Sequence, residues 1–461
     1  MMEMNIPWSI TPQEADLARA CIAKTLDAGA DAVRISLNKS VMDLYSLRNG
    51  ILEKVTHNGD RSLMFCIFKG GRFGTFSINR LDPEQIDAFI REAVAMVSML
   101  APDPFRRLPA PERLAKDAKT GLETGLYDPA YATMTPEKRL ELALQASYYR
   151  TECSAEKSEY SIISEETEYS DSLSDLLVLD SGGLEARHLE SSFEIGCEYT
   201  IQGSDGNKYS GYWWDSSPSL GKLQVGGICR KALQRAAAQI GAGSTPTGKY
   251  TMVVENEVAS KMINPLLGAL GGYSLQQNNS FLVDSLGKKI FHEGFNLSDT
   301  PRTEGANGAR LFDSEGVATV NGPVIESGVV KKYFLNTYIA GKMGLEPTVE
   351  ECIKPVVEPY WGLGGEKPQV IDKQAIMKAC GEGILVTGFN GGNCNSATGD
   401  FSYGIEGFAF SDGSLRPVHG MVVTGNMIKL WNSLLAAGED TRPCMNKQVP
   451  TLAFKDMDFS A

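Results

Sequence analysis

Five runs in which apolar and polar residues alternate lie almost end to end near the start of the chain, at Ala32–Asn38, Val41–Leu47, Ile51–His57, Ser62–Phe68 and Phe73–Ile78. A period of two puts every second side chain on one face, so such runs bury their apolar side only by pairing into a sheet. Asn49-Gly50 and Asn58-Gly59 are pairs that tight hairpin turns favour, because both central positions need a positive φ. The expectation is an antiparallel meander. Helices bracket it. Thr11-Pro12-Gln13-Glu14 is a capping box with proline at the first helical position, Cys21, Ile22 and Leu26 share one face, and Gly29 stops the helix. A second helix opens at Asp82-Pro83 and runs to about Leu100, with Ile86, Phe89, Ile90 and Val94 at helical spacing to cover the sheet.

Residues 101–117 hold four prolines and no apolar periodicity, which reads as a linker. It divides an N-terminal α+β domain, 1–105, from a middle α+β region, 106–245. The middle region opens with a helix at Pro136–Arg150 and runs through Tyr160–Tyr169, Leu176–Asp180, Leu184–Glu190, Phe193–Gln202 and Tyr209–Trp214 to a helix at Leu220–Ile240. That repeats the helix, strands, helix order of the first unit, and the two are expected to be similar although their residues do not repeat. Residues 246–461 form a glycine-rich, β-dominated C-terminal domain with helices near Val258–Leu270 and Gln374–Gly381. The fold class is therefore α+β. In the last domain, Asn390, Gly391, Gly392 and Asn393 demand sharp backbone bends; they read either as a hairpin end or as a loop walling a peptide groove.

A chain of 461 residues has room for two to four units with real cores, and 42% hydrophobic with 22% charged residues is ordinary for a folded protein. No stretch approaches the roughly 20 apolar residues of a membrane span. The formal net charge of −13 has the wrong sign for neutralising phosphates, which argues against a nucleic-acid binder. The first residues carry neither a basic patch nor an apolar run of the secretory kind, so a cytoplasmic chain is expected. Nine scattered cysteines without a C-x-x-C pair fit buried reduced thiols better than a disulfide framework or a zinc ribbon.

Several local patterns mimic sites. Gly243–Lys249 has most of the phosphate-loop spacing, but Tyr250 stands where a magnesium-binding hydroxyl belongs, and the segment leaves a helix and enters a strand, the reverse of what a phosphate needs. The four histidines, His57, His188, His292 and His419, are too far apart for any two to share a helix as zinc ligands. His292-Glu293 begins like a zinc motif but continues without a second histidine. No G-x-S-x-G elbow is present. Tyr209, Tyr212, Trp213 and Trp214 are read as strand residues packing partly into the core, and Glu165-Glu166-Thr167-Glu168 as a solvated strand face.

The segments Ala309–Val317, Val324–Val330, Gly399–Phe408 and Thr424-Gly425-Asn426 resemble, in order and spacing, the TldD/PmbA family, proteins labelled modulators of DNA gyrase. Arg48–Lys54, Gly71–Gly74 and Pro246-Thr247-Gly248 extend the likeness over nearly the whole chain. TldD-type members of that family carry H-E-x-x-x-H on the helix after the strand matching Tyr250–Glu255, plus a late cysteine, and bind a catalytic zinc. The matching stretch here, Asn256–Asn264, has no histidine. The resemblance therefore implies the PmbA branch, also called TldE: the non-catalytic subunit of a heterodimeric zinc metalloprotease acting on short or unfolded peptides, which it helps to enclose in a groove. It implies no catalytic residue, metal or cofactor in this chain, with zinc in a TldD-like partner subunit. The charge and the lack of an apolar span lead to the expectation of no nucleic-acid and no membrane partner, while a homodimer when alone is left open by the sequence. Cys444, within Pro443–Gln448, is read as a remnant of the metal site. The second reading is a stand-alone peptide-binding or regulatory protein of the gyrase-modulator type.

Overall fold

The computed structural model describes residues 6–149 and 159–461. Helix α1 (Pro12–Asp27) begins at Thr11 with both halves of the capping box formed, and Gly29 turns the chain with φ +96°. The five alternating runs merge into three strands, β1 (Ala32–Arg48), β2 (Ile51–Lys69) and β3 (Arg72–Ile78), followed by α2 (Pro83–Val97). Asn49-Gly50 makes the first reversal, with φ +53° and +69°. Asn58-Gly59 does not turn. These residues pair with Met42 and Val41 in the middle of the β1–β2 ladder. Gly59 serves packing instead, because a Cβ there would lie 2.8 Å from the Trp8 ring, and Gly70-Gly71 makes the second reversal.

The middle region repeats the order: α3 (Pro136–Ala146), β4 (Tyr160–Asp180), β5 (Glu185–Gly203), β6 (Lys208–Ser217) and α4 (Ile228–Ala237). β1 and β4 pair antiparallel from Arg34/Asp180 to Arg48/Glu166, so the two units share one six-stranded sheet ordered β3-β2-β1-β4-β5-β6. The helix expected over Leu220–Ile240 is reduced to a single 3-10 turn at Leu220–Lys222 and to α4. Gly227, at φ +84°, breaks it, and the Asp128 carboxylate holds the Leu220 N–H and the Ser219 hydroxyl in the earlier turn. The expected end of α3 at Arg150, and Cys153, lie outside the described residues.

One face of the sheet is covered by α1 and α2 over Ile35, Phe65 and Ile67, and further along by α3 and α4 over Tyr169, Phe193 and Ile195. The opposite face is partly covered by the proline-rich segment. Leu114, Ala115 and Ala118 pack on Val178, Leu184 and Ala186 together with Leu311 and Phe312 of the last domain. Residues 101–117 are thus no free linker. The Ala115 N–H bonds the Gly316 carbonyl, and Arg113 reaches the Thr348 carbonyl. Proline denied this stretch a regular element, but its apolar side chains still had surface to bury.

Burial also overturns the solvated reading of the acidic run. Glu166 and Glu168 are exposed, but strand alternation turns Glu165 and Thr167 fully inward. The Glu165 carboxylate accepts from the Tyr148 N–H at 2.9 Å, the Thr167 hydroxyl at 3.2 Å, and the Ser147 and Tyr199 hydroxyls. With Cys197 and Cys229 it forms the one histidine, cysteine and acid cluster among the described residues close enough to grip a cation. Four donors already occupy its oxygens, and burial pushes the Cys197 thiol up and keeps it protonated, so the cluster is a satisfied polar core.

In the last domain β7 (Gly248–Val254) leads into α5 (Asn256–Ala269). β7 pairs parallel with Glu382–Phe389 and antiparallel with Leu452–Ser460, which closes a ring of five strands with Asp400–Ser411 and Ser414–Asn426. A smaller four-stranded sheet holds Leu297–Asp299 and Pro355–Val357. Met262, Ile263 and Leu266 of α5 pack with Trp431, Phe295 and Phe454 in the largest core.

The turn Asp313–Val317 has a titration consequence. Asp313 Oδ1 accepts the Glu315 and Val317 N–H groups at 2.9 Å each, and Oδ2 that of Glu350 at 3.1 Å. Burial, followed by the Glu350 charge, pushes its carboxyl up to about 7. An acid raised in the folded state stabilises below its unfolded pKa and loses that contribution as pH rises through the folded one. Urea unfolding should show Asp313→Asn costing about 2 kcal/mol more at pH 5.5 than at pH 8. An equal cost at both would contradict the assignment.

Candidate functional site: the cleft around Cys444

The alternation of β5 sends Leu189, Phe193 and Ile195 to the helix-covered core and leaves Glu190, Ser192 and Glu194 on the other face, beside Trp214 and Ser216 of β6. That face looks across a cleft of about 700 Å³ at the last domain, which supplies Asn307–Arg310, Glu351–Ile353, Cys444–Lys447 and Ser260 of α5. The two sides are tied together at the Cys444 carbonyl, which accepts from Asn307 Nδ2 at 3.0 Å and Ser216 Oγ at 3.2 Å. Lys354 Nζ in turn holds the Asn307 carbonyl at 2.7 Å, and burial lowers its pKa.

Helix α5 turns one face toward residues 442–447. Glu257, Ser260 and Asn264, spaced three and four apart, align along it. Glu257 Oε1 accepts from Arg442 Nη1 at 2.8 Å, and Asn264 Oδ1 from Lys447 Nζ at 2.6 Å. Arg442 is the central post: it also donates to the Trp214 carbonyl, and its guanidinium lies 4.3 Å from the Trp213 ring centre and 5.3 Å from that of Trp214. Burial pushes the Glu257 carboxyl up, with Arg442 drawing it back. One step earlier in the chain, burial of Glu255 is outweighed by Arg235 of α4 at 3.0 Å and by Lys373 at 2.5 Å, leaving its pKa lowered.

The Cys444 side chain is 5% exposed and burial pushes its thiol up to about 11, far from the thiolate that a nucleophile needs. A divalent cation does not fit beside it. The adjoining helix face offers an acid bound to arginine, a serine and an amide bound to lysine, with two fixed positive charges where a metal would need lone pairs. What the cleft does offer is hydrogen bonding and charge. Arg310 lines it with no side-chain hydrogen bond or ion pair among the described residues, opposite Glu190, Glu194 and the Trp214 ring. Burial and the neighbouring Glu168 push Glu194 up, whereas for Glu190 burial is outweighed by His188 and Arg310.

Among the residues singled out in the sequence, Cys444 lies in this cleft and Asn390–Asn393 do not. The latter form an exposed turn between Glu382–Phe389 and Asn393–Cys394, pinned by the Asn390 N–H on the Gly404 carbonyl and by Asn390 Nδ2 on Glu406. Of the aromatic run, Tyr209 is core, Tyr212 is about half exposed, and Trp213 and Trp214 stack with Arg442. His57 and His419 are exposed, His188 is buried against Glu190, and His292 packs on Tyr360. The roles of Arg442, Glu257, Asn307 and Arg310 are invisible in the sequence; the one available signal was that the unusual cysteine sits between two cations, Arg442 and Lys447.

Comparison with known proteins places this architecture. Residues 33–97, 129–240 and 247–461 match in turn domain 1, the central domain and the C-terminal domain of the PmbA/TldA metallopeptidases. The metalloprotease PmbA of Escherichia coli O157:H7 is 27% identical over 94% of this chain and 92% of its own length. A crystal structure from Bacteroides thetaiotaomicron, of a protein described as a modulator of DNA gyrase, is 36% identical, covers 98% of this chain and 100% of its own, and superposes with a TM-score of 0.90. TldE from Thermococcus kodakarensis shares the fold at 19% identity and a TM-score of 0.79, over 96% of this chain and 100% of its own. The chain belongs to the PmbA/TldD family of metallopeptidases. No described helix is long and apolar enough to cross a membrane.

Proposed function

We propose that this chain is the non-catalytic subunit of a two-chain zinc metalloprotease of this family and acts on short or unfolded peptides by helping to enclose them. The observation that carries the reading is the filling of the α5 face by the Glu257–Arg442 and Asn264–Lys447 contacts, which leaves no ligand set for the ion that would activate water. The zinc belongs to a homologous TldD-like subunit. This chain contributes shape: a cleft with unpaired Arg310, carboxylates and the Trp214 ring, able to hold the backbone and termini of an extended peptide without demanding one sequence. Affinity capture of the chain from its native cell tests the assembly. Stoichiometric recovery of a homologous chain bearing H-E-x-x-x-H is the expected result, and recovery of this chain without such a partner contradicts it.

A further inference from the structure

The cleft at Cys444 carries unmet charge of opposite sign at its two ends. Glu190, Ser192 and Glu194 share one face of β5, and a strand advances about 3.4 Å per residue, so the two carboxylates sit about 14 Å apart along the cleft. At the first end, burial of Glu190 is outweighed by His188, at 3.1 Å, and then by the charge of Arg310. Glu190 is thereby served from two sides. The Arg310 guanidinium makes no side-chain hydrogen bond or ion pair among the described residues, so its planar fork of donors stays open toward the cleft.

At the other end Glu194 meets no cation among the described residues. Glu168 of β4 pairs with Gly196, two residues further along β5, and so lies on the same face and adds a second negative charge there. Between the ends, Ser192 and the facing Asn446 offer hydrogen bonds to a main chain. A volume of about 700 Å³ is that of a small-ligand site. An extended peptide of four residues spans about 14 Å, the separation of the two ends. Its α-carboxylate matches the fork of Arg310, and its α-ammonium supplies the cation that Glu194 lacks. A longer chain, or one blocked at a terminus, leaves Arg310 or Glu194 unmet.

We propose that this cleft binds a free peptide of about four residues by both ends, the carboxylate on Arg310 and the ammonium at Glu194, so that its occupant is a finished cleavage fragment and not the interior of a long chain. The site rests on the peptide reading of this cleft, not on pairing with a zinc subunit. Titration calorimetry on the full chain tests it with tetra-alanine, its N-acetyl form, its C-terminal amide, dialanine, and a doubly blocked octapeptide of alternating alanine and serine. Tetra-alanine is expected to bind, and each block, or shortening to dialanine, to raise the dissociation constant about tenfold or more. In Arg310→Gln, amidation should change the constant less than about twofold while acetylation keeps its full cost; Glu194→Gln should show the reverse. Neither side chain makes a hydrogen bond or ion pair among the described residues, so both variants keep the fold, which an unchanged urea midpoint checks. No saturable heat with tetra-alanine up to about 10 mM, blocked forms that bind like the free one, or variants that keep both end preferences would each overturn the site. If the blocked octapeptide binds at least as tightly as tetra-alanine, the groove for extended chains stands and the recognition of both ends falls; if no peptide binds, both fall.

Discussion

Glu165→Ala is expected to destabilise the chain by about 4 kcal/mol, read from the urea midpoint at unchanged slope. The substitution strands the buried Tyr199 hydroxyl, takes the acceptor from the half-buried Tyr148 N–H and Ser147 hydroxyl, and leaves the Thr167 hydroxyl only the Cys197 and Cys229 sulfurs. Each orphaned buried donor costs about 1–3 kcal/mol, and the missing side chain leaves a cavity besides. The hydrogen bonds also link the last turn beyond α3 to β4 and β5, so α3 should loosen with them. Glu165→Gln keeps the volume but turns an amide donor toward donors, and should cost about half as much. The neighbouring Glu166→Ala, on the solvent face, should fall within about 0.5 kcal/mol of the parent. Equal and small effects at both positions would restore the solvated reading of this run.

Arg442→Ala should cost about 3 kcal/mol and open the cleft. The guanidinium joins Glu257 on α5, the Trp214 carbonyl on β6 and the two indole rings, so it is the main polar tie between the six-stranded sheet and residues 443–447. Its loss leaves the buried Glu257 carboxylate without its hydrogen-bonded counter-charge, with only the more distant Arg235 still acting on it, which is more damaging than removing the pair together. Glu257→Gln in the Arg442→Ala background should therefore recover a good part of the loss, and a double variant as unstable as the sum of the singles would show that the two side chains act separately. The Trp214 fluorescence should report the opening directly, since the ring loses its cation and gains water.

Legibility in the sequence followed the range of the physics involved. The capping box of α1 and the Asn49-Gly50 turn are local, and both form as their residues dictate. The repeat of helix, strands and helix came from periodicity, which also acts over a few residues, whereas the merging of five runs into three long strands in each unit did not. Asn58-Gly59 carries the same local turn chemistry but is overruled by tertiary context, because Trp8 needs the missing Cβ of Gly59. The proline-rich segment looked like a linker for a local reason and is buried for a distant one, the apolar strip at Leu311 and Phe312. Glu165 is the sharpest case. Alternation alone would have placed it opposite Glu166, but nothing within its neighbourhood in the chain announces Tyr199 and Ser147 as donors. The cleft was half legible: Cys444 and the histidine-free helix could be noted singly, whereas the contacts that fill the helix face join Glu257 to Arg442 and Asn264 to Lys447 across more than 180 residues of chain.

On the proposed function, the metal chemistry of the family lies in the partner subunit and not in this chain. Metal content by mass spectrometry, combined with a fluorogenic peptidase assay on the purified chain and on the same chain mixed with a homologous H-E-x-x-x-H subunit, tests it most directly. The expected result is less than about a tenth of an equivalent of transition metal and no hydrolysis by this chain, with chelator-sensitive hydrolysis in the mixture that rises on adding this subunit. Stoichiometric zinc in the isolated chain with chelator-sensitive peptidase activity of its own would contradict it.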